Sequence, residues 1–321
     1  MQVYRDDAEA VVALSAAYRR LKQEIGRKII GQETVVDRLL TAVFCRGHAL
    51  LVGVPGLAKT LLVQTMAEVL DLSFKRIQFT PDLMPSDITG SEILDADRRY
   101  RFVKGPLFAH LVLADEINRT PPKTQAALLE AMQEKAVTVA GQRYALEEPF
   151  FVFATQNPIE QEGTYPLPEA QLDRFMMEIT LDYPSLEDEV RIVKATTGAG
   201  GAPLQPLLSA GEILYFQQLI RRIPVPDSLY TYAVQFVART RPSDVSAPQA
   251  VRDYIAYGAG PRASQYLIVG AKCHAALNGR FSPDKTDVQA VAEPILRHRV
   301  VRNYRAEAEG LRIETLLKEL F

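Results

Sequence analysis

The most informative segment of this 321-residue chain is Gly53-Val54-Pro55-Gly56-Leu57-Ala58-Lys59-Thr60. It follows a strand-like run over residues 49–52 and opens a helical pattern over residues 60–70, which is the context of a phosphate-binding loop. Glycine lets the backbone turn and bring N–H groups close to phosphate oxygens, and the start of the helix adds partial positive charge. We therefore expect Lys59 to contact the β- and γ-phosphates of a nucleotide and Thr60 to offer a hydroxyl to Mg²⁺.

One residue departs from the strict phosphate-loop pattern, which has glycine immediately before the lysine. Ala58 occupies that position. A methyl group would be tolerated there if the backbone angle φ is negative, so Ala58 weakens the match only mildly. The alternative is a glycine-rich turn with an incidental lysine. The strand before the segment and the helix after it make that alternative the less favoured one.

Two further apolar runs end in polar side chains. Asp115 and Glu116 follow residues 111–114, and Asn157 comes shortly after residues 150–154. Ligands of open parallel sheets bind at the carboxyl ends of strands, so we expect these side chains beside the phosphate loop. Asp115 would hold Mg²⁺ with Thr60, and Glu116 would polarise the attacking water. Asn157 would orient that water or touch the γ-phosphate. The alternatives are a helix cap for Asp115 and a turn residue before proline for Asn157.

The wider pattern predicts an α/β fold, because short apolar runs alternate with helical segments as in a parallel sheet between helices. The predicted strands are residues 49–52, 74–79, 111–114, 150–154 and 176–179. Alternating residues predict hairpins at 93–103 and 137–146. After Pro184 a loop over residues 198–203 precedes purely helical patterns at residues 209–220, 227–240, 248–257, 262–277 and 283–298. We expect a core domain over residues 1–184 and a smaller, all-helical domain over residues 185–321.

The charges of the chain nearly cancel, since 37 Lys and Arg oppose 39 Asp and Glu, for a formal net charge of −2. This balance argues against a protein that coats nucleic acid or an anionic membrane. The apolar runs are too short to span a membrane, and the N-terminus is acidic where a signal peptide would be basic. Cys45 and Cys273 are far apart in sequence, which favours two buried thiols over a disulfide framework or metal site. We expect a cytoplasmic protein.

A basic cluster near the end of the chain comprises Arg297-His298-Arg299 with Arg302 and Arg305. Its pattern favours a solvated helix end over nucleic-acid binding, and a contact between subunits is the third interpretation.

These motifs together resemble the AAA+ ATPases, and more closely the MoxR family within the helix-2-insert group. The resemblance runs from about residue 29 to near the C-terminus. Besides the phosphate loop with its Ala58, it rests on the segments Phe79-Thr80-Pro81-Asp82-Leu83-Met84-Pro85-Ser86-Asp87, Gly105-Pro106-Leu107-Phe108, Ala114-Asp115-Glu116-Ile117-Asn118-Arg119, Ala154-Thr155-Gln156-Asn157-Pro158 and Leu167-Pro168-Glu169-Ala170-Gln171-Leu172-Asp173-Arg174-Phe175.

The resemblance implies a phosphate-loop AAA+ core with a helical lid, and ATP and Mg²⁺ as ligands. It implies that Asn157 is the sensor-1 residue. Arg174 resembles an arginine finger that reaches the γ-phosphate of the neighbouring subunit, and Arg262 matches sensor 2, projecting from the lid onto nucleotide. The implied nucleotide contacts are Ile30, Gly31, Val54, Pro55, Gly56, Leu57, Ala58, Lys59, Thr60 and Leu61.

From the residues alone, simpler roles remain open for both arginines. Arg174 could form a surface ion pair with Asp173 or Glu169, and Arg262 could be a charge on a helix face. Arg119 is the main rival of Arg174 as the intersubunit arginine.

The function that the resemblance implies is Mg²⁺-dependent ATP hydrolysis in a closed homo-oligomeric ring, expected to be a hexamer. The ring would remodel or activate a protein client, often one with a von Willebrand factor A domain. One alternative is a DNA-translocating or chelatase-type ATPase of the helix-2-insert group. Another is a nucleotide-gated scaffold without meaningful hydrolysis, against which the acidic pair argues.

Overall fold

The computed structural model describes residues 4–94, 96–160, 163–198 and 203–320. Its strands are β1 (Ala49–Val52), β2 (Phe74–Gln78), β3 (Gly90–Leu94), β4 (Tyr100–Lys104), β5 (Leu111–Asp115), β6 (Ala136–Val139), β7 (Gln142–Ala145), β8 (Phe151–Gln156), β9 (Met177–Thr180), β10 (Ile255–Tyr257) and β11 (Val301–Arg302). Its helices are α1 (Asp7–Gly26), α2 (Glu33–Phe44), α3 (Lys59–Val69), α4 (Pro85–Thr89), α5 (Pro122–Glu134), α6 (Glu169–Leu172), α7 (Leu186–Thr197), α8 (Ala210–Arg222), α9 (Asp227–Ala238), α10 (Gln249–Tyr254), α11 (Pro261–Leu277), α12 (Lys285–Leu296), α13 (Tyr304–Ala308) and α14 (Ile313–Lys318). Asp95 of the first predicted hairpin and residues 199–202 of the predicted loop lie outside the described residues.

The centre of the molecule is a parallel sheet with the strand order β2-β5-β8-β1-β9. Both of its faces are covered. Along β5, Leu111 and Leu113 belong to the hydrophobic cluster on one face, and Val112 and Ala114 belong to the cluster on the other. Because both faces are buried, the central strands β5, β8 and β1 are largely apolar instead of alternating, whereas the edge strand β2 also carries exposed polar side chains. The predicted α/β fold, a parallel sheet between helices, is confirmed.

Helices from the C-terminal part of the chain pack on helices from the N-terminal part. Helices α8 and α11 both contact α1 and α2, and one continuous hydrophobic cluster includes residues of all four. Cys45 and Cys273 are free thiols buried in this cluster, as expected, and the pKa of Cys273 is raised by burial and by its contact with Cys45. The boundary near residue 184 stays a prediction.

The C-terminal part is helical except for one short antiparallel pair, β10 with β11. The helix predicted over residues 248–257 therefore ends at Tyr254, which corrects the expectation of an all-helical lid in this detail. Residues 255–257 instead pair with β11. Beyond them, Gly258 passes so close to the backbone of Thr240 that a Cβ there would lie about 2.4 Å from it. No helix among the described residues is long and apolar enough to cross a membrane.

Both predicted hairpins are found, as β3–β4 and β6–β7. Ala140 and Gly141 form the second turn with φ values of 49° and 80°, the left-handed pair that two-residue hairpin turns require. Phe102 of β4 stacks on Tyr144 of β7 with 4.0 Å between ring centroids, so the hairpins pack together.

Residues 297–299 of the basic cluster are largely buried, which overturns the expectation of a solvated helix end there, whereas Arg305 is exposed. The side chains of Arg297 and Arg299 are only 10% and 2% exposed. Arg297 is paired with Glu293 and Glu314. Charged side chains are buried where such partners exist, and sequence spacing does not reveal partners that are distant along the chain.

Candidate active site

The phosphate loop joins the end of β1 to the start of α3. Gly56 and Ala58 have positive φ angles of 88° and 55°. The condition of a negative φ, under which a methyl group would be tolerated at Ala58, is therefore not met. The residue directly before α3 adopts the left-handed conformation, and alanine does so at a cost of about 1 kcal/mol. Lys59 begins the helix, and its Nζ donates to the carbonyl oxygen of Gly53 at 2.5 Å.

A cavity of about 420 Å³ lies over this loop and collects side chains from the carboxyl ends of three neighbouring strands. Its lining residues are Pro55, Gly56, Leu57, Ala58, Lys59, Thr60, Leu61, Asp115, Glu116 and Asn157. The structure therefore brings the predicted loop, the acidic pair and the candidate sensor residue to one place, as the parallel sheet requires.

Asp115, buried at the end of β5, has partners on both carboxylate oxygens. The hydroxyl of Thr155 donates to Oδ1 at 2.6 Å, and the guanidinium of Arg76 donates to Oδ2 at 2.7 Å. The Thr155 hydroxyl also accepts from the backbone N–H of Glu116 at 2.9 Å. One buried hydroxyl thus joins the two acidic residues, and the carboxylate of Asp115 caps no helix. Sequence reasoning missed Thr155 and Arg76, because their role follows from the strand order β2-β5-β8.

Glu116 holds a left-handed backbone conformation with a φ of 57°. Its carboxylate accepts hydrogen bonds from Nε2 of Gln78 at 2.8 Å and from Arg119 at 3.0 Å. The side chain is therefore fixed at the rim of the cavity. Arg119 is thereby placed on the phosphate side of its own chain, beside Glu116.

Asn157 lies in the turn that follows β8, and its role towards water or phosphate stays a prediction. It is buried, and its Oδ1 accepts from the backbone N–H of Ile159 at 3.2 Å, as expected of a turn residue before proline. It also lines the phosphate cavity.

Burial and nearby charges in the phosphate cavity affect the pKa of Lys59. Burial lowers the pKa of its ammonium group, and the carboxylates of Asp115, Glu116 and Glu160 oppose that shift. Glu160 lies two residues beyond the segment that ends at Pro158 and was not singled out from the sequence, and the folded chain places it near the lysine.

A second, mostly apolar cavity of about 180 Å³ adjoins the first. Gly56, Leu57, Ala58 and Leu61 line both, so the two form one groove. Ile30 lines the apolar end, as expected of a segment that passes a nucleobase.

The far wall of the apolar cavity comes from α7, through Ile192, Ala195 and Thr196. Sequence reasoning missed this contribution, since nothing in the pattern of α7 marks it. Two implied nucleotide contacts do not line either cavity. Gly31 lies against Asp188, and Val54 packs on the hydrophobic cluster.

Arg174 and Arg262 line a different cavity, of about 170 Å³, together with Arg46 and Lys135. We call it the basic cavity. Nη1 of Arg262 donates to Oδ2 of Asp173 at 3.0 Å. Arg262 lines the basic cavity and not the phosphate cavity of its own chain, so its projection onto nucleotide stays a prediction.

The basic cavity lies at the amino ends of the strands. Among its lining residues, His48 directly precedes β1, Phe151 begins β8, and Arg174 precedes β9. The strands are parallel, so this cavity and the phosphate cavity open at opposite ends of the sheet. Within the described part of the chain, the Arg174 guanidinium has no hydrogen bond or ion pair, and Asp173 bonds Arg262 and Arg299 instead.

The donors around the phosphate cavity fit a nucleoside triphosphate and Mg²⁺. The loop offers backbone N–H groups and the Lys59 ammonium to phosphate, while Thr60 and Asp115 offer the oxygen ligands that Mg²⁺ prefers. No group of three or more His, Cys, Asp or Glu that could hold a metal ion occurs in the described ranges.

Comparison with known proteins shows the family of the chain. Residues 48–177 match the family described as "ATPase family associated with various cellular activities (AAA)", and residues 248–320 match the AAA lid domain. The chaperone MoxR1 of Mycobacterium tuberculosis is 42% identical over 314 residues, which cover 98% of this chain and 83% of that protein. The protein MoxR of Paracoccus denitrificans is 32% identical over 309 residues, which cover 89% and 88%.

A solved structure of a candidate ATPase from Cytophaga hutchinsonii superposes with a TM-score of 0.90 at 42% identity and covers 97% of this chain and 95% of its own. With its phosphate loop, its acidic pair and its lid, the chain belongs to the MoxR family of AAA+ ATPases, which hydrolyse ATP.

Proposed function

We propose that this chain hydrolyses Mg²⁺-bound ATP at sites completed between neighbouring subunits of a ring, and that turnover remodels or activates a protein client. The observation that carries this proposal is the position of the two halves of the site. The phosphate cavity and the basic cavity open at opposite ends of the same sheet. Arg174 therefore cannot reach the γ-phosphate held by its own loop, but it suits one held by a neighbour.

Within one subunit, the loop and the acidic pair divide the chemistry. Lys59 binds the β- and γ-phosphates, and the carboxylate of Glu116, fixed by Gln78 and Arg119, accepts a proton from the attacking water. Asn157 orients that water. When bound, Mg²⁺ would be held by Thr60 and Asp115 and would offset phosphate charge.

From the neighbouring subunit, Arg174 supplies a guanidinium to the γ-phosphate, where its fork of N–H donors meets the charge of the transition state. Arg262 shares the basic cavity and would contact the same nucleotide. Arg119 is the weaker candidate, because its pair with Glu116 keeps it on the phosphate side of its own chain.

Assembly follows from the divided site. A head-to-tail contact that repeats around a rotation axis closes into a ring, and the family resemblance supports six subunits. One relative named as a chaperone supports a protein client, and the MoxR resemblance supports one with a von Willebrand factor A domain. We place this activity in the cytoplasm.

The divided site is tested by mixing two inactive variants. Arg174→Ala retains its own phosphate loop, and Lys59→Ala retains its own arginine. Each variant alone should bind ATP too weakly, or hydrolyse it too slowly, for measurable phosphate release. The mixture should regain activity at interfaces that pair the intact phosphate loop of one variant with the intact arginine of the other. A mixture no more active than its components would refute the assignment of Arg174 to a neighbour.

The client is tested with Glu116→Gln, which should hold ATP without hydrolysing it and so retain the bound client. Affinity capture with and without ATP, read by mass spectrometry, should enrich a protein with a von Willebrand factor A domain only with ATP. Lys59→Ala is the matched control that lacks the nucleotide contact. Enrichment of DNA in place of a protein would support the DNA-translocating alternative.

A further inference from the structure

Arg299 is deeply buried between the C-terminal helices and the end of the core. Its side chain is 2% exposed, and its guanidinium donates to Oδ1 of Asp173 at 2.7 Å. It also donates to the carbonyl oxygens of Asp173 at 2.8 Å, Phe175 at 2.6 Å and Met176 at 3.1 Å, and to that of Ile295 on α12. A guanidinium is buried at tolerable cost only if its N–H groups find acceptors. Here most of those acceptors belong to residues 173–176.

Two neighbours complete the set of contacts to this segment. Nε2 of His298 is 3.0 Å from the Phe175 carbonyl oxygen, and the hydroxyl of Tyr266 donates to the Arg174 carbonyl at 3.5 Å. The Tyr266 ring also lies 5.1 Å from the Arg299 guanidinium. Four consecutive carbonyl groups, those of residues 173–176, are therefore contacted by side chains from the lid.

The side chain of Asp173 is held in the same way. Arg299 binds Oδ1, and Arg262 binds Oδ2. Arg174 is thus flanked on both sides by anchored residues, while its own guanidinium projects into the basic cavity. A side chain on a fixed backbone samples fewer directions, so these contacts define where Arg174 points.

We propose that Arg299 is a positioning residue for Arg174, and that it ties the direction of this arginine to the lid. The proposal rests on the proposed function, in which Arg174 serves the neighbouring subunit. Misplacement of a catalytic group by about 1 Å can lower a rate about 100-fold, so a lost anchor at this segment has a measurable effect.

Arg299→Met is the direct variant, because it keeps the aliphatic stem and removes every guanidinium contact. We expect kcat to fall at least about tenfold, while the affinity for a fluorescent ATP analogue stays within about twofold, since the variant's own phosphate cavity is intact. Arg299→Lys should retain part of the activity through its remaining donors. Arg302→Met is the matched control, because the Arg302 guanidinium donates to the Leu311 carbonyl and not to residues 173–176. Its kcat should stay near that of the wild type.

Mixing separates positioning from a general loss of structure. Arg299→Met mixed with Lys59→Ala should regain activity, because the variant's nucleotide site is served by the intact Arg174 of its partner. Arg299→Met mixed with Arg174→Ala should stay inactive, because neither subunit offers a correctly directed arginine.

Three results would overturn the proposal. A kcat near that of the wild type for Arg299→Met would show that the anchor is dispensable. Activity regained by the Arg174→Ala and Lys59→Ala mixture, but not by the Arg299→Met and Lys59→Ala mixture, would refute the role of Arg299 and leave the divided site standing. No gain in either mixture would refute the divided site itself, and the role of Arg299 with it.

Discussion

The Thr155 hydroxyl offers the sharpest test of how the acidic pair is held. Thr155→Val keeps the shape of a fully buried side chain and removes two hydrogen bonds, one donated to Asp115 at 2.6 Å and one accepted from the N–H of Glu116 at 2.9 Å. A neutral hydrogen bond contributes about 1 kcal/mol and one to a carboxylate about 2 kcal/mol, so we expect the free energy of unfolding to fall by about 3 kcal/mol. Turnover should fall as well, because the left-handed backbone at Glu116 loses its anchor.

The measurement is urea denaturation followed by circular dichroism, since the chain has no tryptophan. Thr155→Ser is the matched control. It keeps the hydroxyl and loses one methyl group, which should cost about 1 kcal/mol. If Thr155→Val is no less stable than Thr155→Ser, the hydroxyl does not hold the acidic pair, and the account of Asp115 and Glu116 as a joined unit is wrong.

Three further predictions concern single side chains. Glu116→Gln should bind ATP normally and lose at least about 100-fold in phosphate release, and turnover near that of the wild type would remove Glu116 from its role. Ala58→Gly should raise the free energy of unfolding by about 0.5 kcal/mol, since relief of the left-handed backbone outweighs the entropy of glycine, and a lower stability would argue against strain there. Burial raises the pKa of Glu178 to about 7, so the protonated form favours the folded state. Stability relative to Glu178→Gln should rise by about 2 kcal/mol as the pH falls from 8 to 5, and urea midpoints that run parallel over that range would contradict the shift.

Residues that contact their neighbours along the chain were predictable from the sequence. The central strands β1, β5 and β8 are largely apolar on both faces and β2 alternates, so the pattern identifies them without knowledge of the fold. The turn at Ala140 and Gly141 needs left-handed residues, and a glycine marks it. The phosphate loop, Asp115 and Glu116 are recognisable because each follows a predicted strand directly.

Contacts between side chains on neighbouring strands were not predictable, because they depend on the strand order. Arg76 reaches Asp115 because β2 lies beside β5, and Thr155 reaches it because β8 lies on the other side. The sequence does not show which two strands lie beside β5. The left-handed angle at Ala58 is a second case, since it depends on how the loop meets α3 and not on the alanine itself.

The basic cluster shows why pairing must be known before charge can be interpreted. Charged residues at a helix end are usually solvated, yet Arg299 is buried because the carbonyl groups of residues 173–176 take up its N–H donors. The same contacts satisfy both partners, the N–H donors of Arg299 and the carbonyl groups of residues 173–176. If the lid moved away from the core, Arg299 would lose its acceptors and the segment that carries Arg174 would lose its donors. Buried polar groups without partners are costly, so we expect the lid and the direction of Arg174 to change together. Hydrogen exchange at residues 173–176 should then increase in Arg299→Met and not in Arg302→Met, and equal exchange in both variants would contradict this coupling.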